Sequence, residues 1–292
     1  MTFAPLISVQ ELPERLNDPD WVVFDCRFSL VDTGAGERLY REGHIPGAHY
    51  AHLDRDLSSA VGGSTGRHPL PDPDVFVRKL GAWGVDRATR VVVYDDAGGA
   101  FAGRMWWLLR WLGHEKAALL DGGVKQWLKA GGVLSANIPQ SVRKTFIADA
   151  DRTRWLDTGE VGQGLSDGRI LLIDARTADR FQGKQEPIDT VAGHVPGAVC
   201  RPLQLNLADD GRFLPAETLR RQFLQRLSGF KPEQAVHMCG SGVTACHNLL
   251  AMEAAGLVGS RLYAGSWSEW IRDPARPVAT GPESPPSKAG DR

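Results

Sequence analysis

Two tandem α/β domains, each a mostly parallel sheet flanked by helices, are the fold this chain predicts. Three observations carry that expectation. Four sequence anchors recur in the same order in the two halves, which marks two copies of one unit. Within each half, short apolar runs alternate with helix-period patterns, as strands feeding crossover helices do. Between the halves, residues 135–154 are polar, carry Pro139 and keep no period, and so read as a linker. The expected domains are 1–134 and 155–292.

Taken in chain order, the first half opens with an apolar strand, Trp21 to Arg27, that returns as Leu171 to Arg176. Gly43-His44-Ile45-Pro46-Gly47-Ala48 returns 150 residues later as Gly193-His194-Val195-Pro196-Gly197-Ala198. A histidine kept in both copies points to a structural job, an imidazole hydrogen-bonded to a turn. Asp25 and Asp174 recur likewise and read as carboxylates that organise the loops after their strands. Residues 74–83 have helical periodicity, Val91 to Asp95 is a second buried strand, and Trp106, Trp107 and Trp111 fit one helix as packing residues. Leu120-Asp121-Gly122-Gly123 and Trp127 close the half. In the second half the helix is 217–227, and Ala235 to Cys239 matches Val91 to Asp95 at an offset of 144. A helix-like run then extends from Ala245 to Ala255. Tyr263-Ala264-Gly265-Ser266 and Trp270 match the closing element at an offset of 143, with Trp267 and Trp270 read as packing. From Pro274 on, proline, glycine and serine accumulate, and mobility is expected in the last ten or so residues.

The composition, 42% hydrophobic and 24% charged over 292 residues, is that of ordinary globular domains. A net charge of -1 supplies no general field for nucleic acid or an anionic membrane, so any attraction for an anion must be local. Met1-Thr2-Phe3-Ala4-Pro5 lacks a secretory pattern and no stretch reaches transmembrane length, so a cytoplasmic protein is expected. Cys26, Cys200, Cys239 and Cys246 form no C-x-x-C pair and no zinc spacing. His52, His114, His237 and His247 have no partner spacing for a metal either. Neither a metal, a cofactor nor a structural disulfide is expected. A helix starting between Cys239 and Cys246 would point those two thiols apart.

The chemistry concentrates in Cys239-Gly240-Ser241-Gly242-Val243-Thr244, between the strand ending at Met238 and the helix starting at Ala245. There, backbone N–H groups converge on a sulfur and favour its thiolate. Gly240 and Gly242 let successive amides curl into an anion-holding nest. Cys239 therefore reads as a nucleophile, Gly240, Gly242, Val243 and Thr244 as the backbone that holds a substrate anion, and the Thr244 side chain as a helix cap. The repeat provides an internal control: the first half has Asp95 where the second has Cys239, and a carboxylate cannot do thiol chemistry. The first half is expected to be non-catalytic. A cysteine phosphatase would need arginine six residues after Cys239, where Ala245 stands. Gly240-Ser241-Gly242 is not the elbow of a serine hydrolase.

Asp174-Ala175-Arg176, Gly193 to Ala198, Cys239 to Ala245 and Gly265-Ser266-Trp267-Ser268-Glu269-Trp270 together resemble the tandem rhodanese-domain sulfurtransferases, in the family's order from about Ile7 to Pro277. The Cys-Gly-Ser-Gly-Val-Thr loop is similar to that of the 3-mercaptopyruvate sulfurtransferases, whereas thiosulfate-preferring members usually carry arginine and lysine after the cysteine. The resemblance implies that Cys239 takes sulfur from a small anionic donor as a persulfide. Cyanide or a thiol, including a reduced dithiol protein, would then receive it. It further implies a proton-handling cluster of Ser241, His68 and Asp54, and Arg180 as the anchor of the donor's anionic group. Arg176, four residues earlier, reads as a structural ion-pair partner of Asp174 near that anchor. A second arginine usually follows a Glu-Pro pair in mercaptopyruvate enzymes. Here Glu186-Pro187 is followed by Ile188, which leaves thiosulfate open as a co-substrate. The alternatives that remain are a thiosulfate-preferring enzyme and a non-catalytic sulfur-carrier or interaction module.

Overall fold

In the computed structural model, which describes residues 3–283, two five-stranded parallel sheets share one strand order. The first comprises β1 (Leu6–Ile7), β2 (Trp21–Asp25), β3 (His49–Tyr50), β4 (Arg90–Tyr94) and β5 (Ala117–Leu120), ordered β1-β5-β4-β2-β3. The second comprises β6 (Trp155–Leu156), β7 (Leu171–Asp174), β8 (Val199–Cys200), β9 (Ala235–Met238) and β10 (Arg261–Tyr263), ordered β6-β10-β9-β7-β8. The expected architecture is present twice. All inter-strand pairings are parallel, for example Ile173 opposite His237 and Val93 opposite Leu119. The central strands β4 and β9 are buried along almost their whole length, as central strands of parallel α/β sheets are.

Each unit has its own core. Val23, Val92, Tyr94, Leu120 and Trp127 pack in the first; Leu172, Val236, Met238, Tyr263, Trp267 and Trp270 pack in the second. The repeated Gly-His-x-Pro-Gly-Ala segments make the same tight turn, whose second glycine is left-handed in both, with φ of 78° at Gly47 and 83° at Gly197. His44 Nδ1 lies 2.7 Å from the Tyr40 carbonyl and His194 Nδ1 lies 2.8 Å from that of Phe181, so both histidines have a structural role, tying their turn to a carbonyl of the preceding helix rather than to the turn itself. The tail beyond Glu283 lies outside the described residues.

The unit boundaries depart from the repeat boundaries. The first unit contains the chain through Ser59, residues 70–151 and residues 207–213; the second contains 60–69, 152–206 and the chain from Leu214 on. Residues 135–151 do not stand apart as a linker. Their backbone is paired into the first unit, with Ser135 N–H donating to the His44 carbonyl, Lys144 to Gly81 and Asp149 to Leu112. A polar, aperiodic sequence is compatible with such a strap because the bonds are made by its main chain.

The strand order places the chemistry. From β7 the chain steps outward to β8, and from β9 it steps the other way to β10. The loops leaving β7 and β9 therefore diverge, and the carboxyl ends of these neighbouring strands frame a crevice, where open α/β sheets bind ligands.

Candidate active site

Cys239 follows the last residue of β9 and is buried, 1% exposed. The start of the helix Ser266–Trp270 holds its loop. Cys239 N–H donates to Ser266 Oγ at 3.1 Å, and the carbonyls of Cys239 and Gly240 accept from the N–H groups of Trp267 (3.0 Å) and Ser268 (2.8 Å). Gly242 has a φ of 76°, and a Cβ there would lie 2.2 Å from the Ala264 carbonyl oxygen, so no side chain fits. This tight path directs the Ser241 N–H at the sulfur, 3.4 Å from Cys239 Sγ. Val243 is buried and Thr244 half-buried where the helix Ala245–Ala254 begins, and their carbonyls accept its first N–H groups. Thr244 occupies the cap position but its hydroxyl makes no capping bond, because its backbone is already helical there.

Ser241 Oγ lies 2.7 Å from His68 Nδ1, and both residues are buried. His68 reaches Ser241 because segment 60–69 belongs to the second unit. Arg67 N–H donates to Ser268 Oγ at 3.0 Å, and Gly66 passes so near Gly265 that a Cβ would come within 2.6 Å of its carbonyl oxygen. Asp54 lies in the first unit, its backbone N–H donating to His52 Nδ1 at 3.1 Å.

Arg180, the expected anchor of the donor's anionic group, lies on the helix Ala178–Phe181 and is already ion-paired. Its Nη2 donates to Glu186 Oε1 at 2.7 Å and to Asp189 Oδ2 at 3.1 Å, and its Nε lies 3.1 Å from both Glu186 oxygens. Asp189 also binds the Arg67 guanidinium. Glu186 reaches on to Arg176 Nη1 at 3.3 Å, and Arg176 pairs with Asp174 at 2.7 Å while its guanidinium lies over the Trp267 ring. Arg67, Arg180 and Arg176 thus alternate with Asp189, Glu186 and Asp174 in one run of ion pairs. Burial, reinforced by the neighbouring Arg180 and Arg176 charges, pulls Arg67 below the ordinary arginine value, while the sulfur of Cys239 counters that pull.

Two members of this run, Arg67 and Asp189, are absent from the sequence reading. The signal was adjacency: Arg67 directly precedes His68, and Asp189 directly follows Ile188, the residue that stands where an arginine was expected. Ile188 itself is exposed. An ion pair between residues 122 apart has no local signature. The arrangement sets guanidiniums beside the Cys239 thiol, with a hydroxyl and an imidazole within hydrogen-bonding distance of each other.

Comparison with known proteins identifies the family. The family model for the rhodanese-like domain matches residues 8–130 and again 157–273. A probable 3-mercaptopyruvate sulfurtransferase of Pseudomonas aeruginosa is 52% identical over 96% of this chain and 100% of that protein. The thiosulfate sulfurtransferase of Gallus gallus is 34% identical over 85% of this chain and 86% of that one. Among solved structures, the 3-mercaptopyruvate sulfurtransferase of Leishmania major superposes with a TM-score of 0.80 at 31% identity, covering 91% of this chain and 74% of that one.

Proposed function

This chain belongs to the rhodanese-like domain family, and from that premise we propose that it is a 3-mercaptopyruvate sulfurtransferase working through a persulfide on Cys239. The observation that carries the reading is the 2.7 Å contact of His68 with Ser241, whose own N–H faces the Cys239 sulfur.

In the first half-reaction the Cys239 thiolate attacks the sulfur of 3-mercaptopyruvate. A sulfur–sulfur bond forms as the carbon–sulfur bond breaks, and its electron pair passes to the carbon beside the ketone as an enolate. That carbon takes a proton and leaves as pyruvate. Ser241 Oγ with His68 behind it supplies the route for the proton. In the second half-reaction a thiolate or cyanide attacks the outer sulfur, and Cys239 departs as its thiolate. The amides of Gly240, Ser241, Gly242, Val243 and Thr244, with the helix start behind them, stabilise negative charge on the sulfur in both steps. Arg180 orients the donor's carboxylate.

The acceptors proposed are small thiols, a reduced dithiol protein or cyanide, in a reducing cytoplasm, where four cysteines outside any disulfide would stay thiols. No helix among the described residues is long and apolar enough to cross a membrane. Mass spectrometry of the intact protein after exposure to 3-mercaptopyruvate tests the proposal. One added sulfur at Cys239, lost again with cyanide, is expected; an unmodified protein would leave the family fold serving as a sulfur-free interaction module.

A further inference from the structure

Resting on that sulfurtransferase reading, we propose that Asp189 and Arg67 select the charge of the donor. Asp189 is the exchangeable counter-ion of the Arg67 and Arg180 guanidiniums, and a donor carboxylate takes its place.

The two carboxylates that meet Arg180 are held differently. Glu186 accepts from Arg180 and Arg176 and also from the backbone N–H groups of Ile188 (3.2 Å) and Asp189 (3.1 Å), so its position is built into the loop. The Asp189 carboxylate has one guanidinium on each oxygen, Arg67 on Oδ1 and Arg180 on Oδ2. An incoming carboxylate can reproduce both contacts with the same planar geometry. The two guanidiniums converge beside the nucleophile: a Cβ placed on Gly240 would lie 2.8 Å from Arg67 Nη2 and 3.5 Å from Arg180 Nη2. Arg67 Nε is buried with no hydrogen-bond partner, a donor still unspent. Arg67 thus supplies the second guanidinium that position 188 lacks.

The charge count then decides between donors. Three guanidiniums face three carboxylates in this run, so the cluster is formally neutral. A monoanion such as 3-mercaptopyruvate replaces Asp189 charge for charge. Thiosulfate, a dianion, brings one negative charge too many to a buried site that also holds a thiolate, and unpaired charge there is costly. Asp189 thereby tunes a site with two available arginines toward monocarboxylate donors.

Steady-state kinetics of wild type, Asp189→Asn, Arg67→Ala and Arg67→Lys with both donors test this, cyanide being the acceptor. Asp189→Asn is expected to raise the ratio of kcat/KM for thiosulfate to that for 3-mercaptopyruvate by roughly tenfold or more, through KM. Arg67→Ala should raise KM for 3-mercaptopyruvate about ten- to a hundredfold with little change in kcat, and Arg67→Lys should recover part of it. A second readout needs no variant: protection of wild-type Cys239 from alkylation should require less pyruvate than sulfate. A donor ratio unmoved by Asp189→Asn, or sulfate protecting as well as pyruvate, overturns the inference. Wild type that gains no sulfur from either donor overturns the sulfurtransferase reading instead, so the two failures are told apart.

Discussion

The loop after β4 folds around its own carboxylate, whereas the loop after β9 folds around a thiol. Asp95 Oδ1 accepts from the N–H groups of Ala97 (2.9 Å) and Gly99 (2.8 Å), and Oδ2 from those of Phe101 (2.8 Å) and Ala102 (2.9 Å). A strand–loop–helix of this kind is evidently built to surround an anion, and in the first unit the anion is covalently part of the chain. In the second unit the loop is one residue shorter, and the group in that place is a sulfur with the Ser241 N–H aimed at it. The rest of the frame is nearly unchanged. Arg27 reaches Asp25 and the Gly43 carbonyl just as Arg176 reaches Asp174 and the Gly193 carbonyl. The first loop is thus closed on its own carboxylate, and the shorter second loop has a thiol in that place.

The sharpest way to break this contrast is to remove the sulfur. Cys239→Ser is expected to abolish transfer from either donor while the fold persists, because a hydroxyl cannot store a persulfide; thiocyanate formation well above background would sink the assignment. Next in size is Ser241→Ala, with His68→Ala showing the same pattern. Each should lower turnover of 3-mercaptopyruvate by about 10² to 10⁴ and that of thiosulfate far less, since sulfite leaves without needing a proton at carbon. Equal losses for both donors would reduce the pair to a packing contact.

Arg180→Ala should cost roughly ten- to a hundredfold in kcat/KM with both donors, the loss of one charged hydrogen-bonding partner, and unchanged kinetics would remove it from the site. In the first unit, Asp95→Ala leaves four backbone donors without their acceptor. A loss of roughly 3 kcal/mol is expected, about 6–12 °C in Tm by calorimetry, with partial recovery in sulfate. No loss of stability would mean that the closed nest contributes nothing. The smallest effect belongs to the remaining cysteines. Burial, with Asp25 beside it, pushes the Cys26 thiol well up, and burial with Asp174 pushes Cys200 up to about 12, so both stay protonated at neutral pH. Replacing Cys26, Cys200 or Cys246 by alanine should leave transfer rates within about twofold, and a larger fall would call for a resolving thiol.

The parts of this molecule legible in the sequence were those with local or repeated signatures. The sheets follow from apolar runs such as Val91 to Tyr94, and the tandem order from Gly-His-x-Pro-Gly-Ala occurring twice. The Cys239 loop is legible because its strand, glycines and helix are contiguous. Arg180 was visible as a cation, but its carboxylate partners were not, since ion pairing is settled by side chains meeting after the loop of residues 182–192 has folded. Thr244 shows the limit of residue-type rules: a good capping residue makes no cap when the chain enters the helix already turned.

The exchange of segments makes the two copies unequal debtors. Residues 60–69, from the first copy, carry Arg67 and His68 into the second unit, and residues 207–213, from the second, complete the first. A duplicated gene usually leaves either copy free to be lost once the other suffices. Here a chain restarted at Arg152 would carry Cys239 but have no imidazole opposite Ser241. Duplication has in this way ended as dependence, although the sheets, the glycine turns and the Arg–Asp pairs still match.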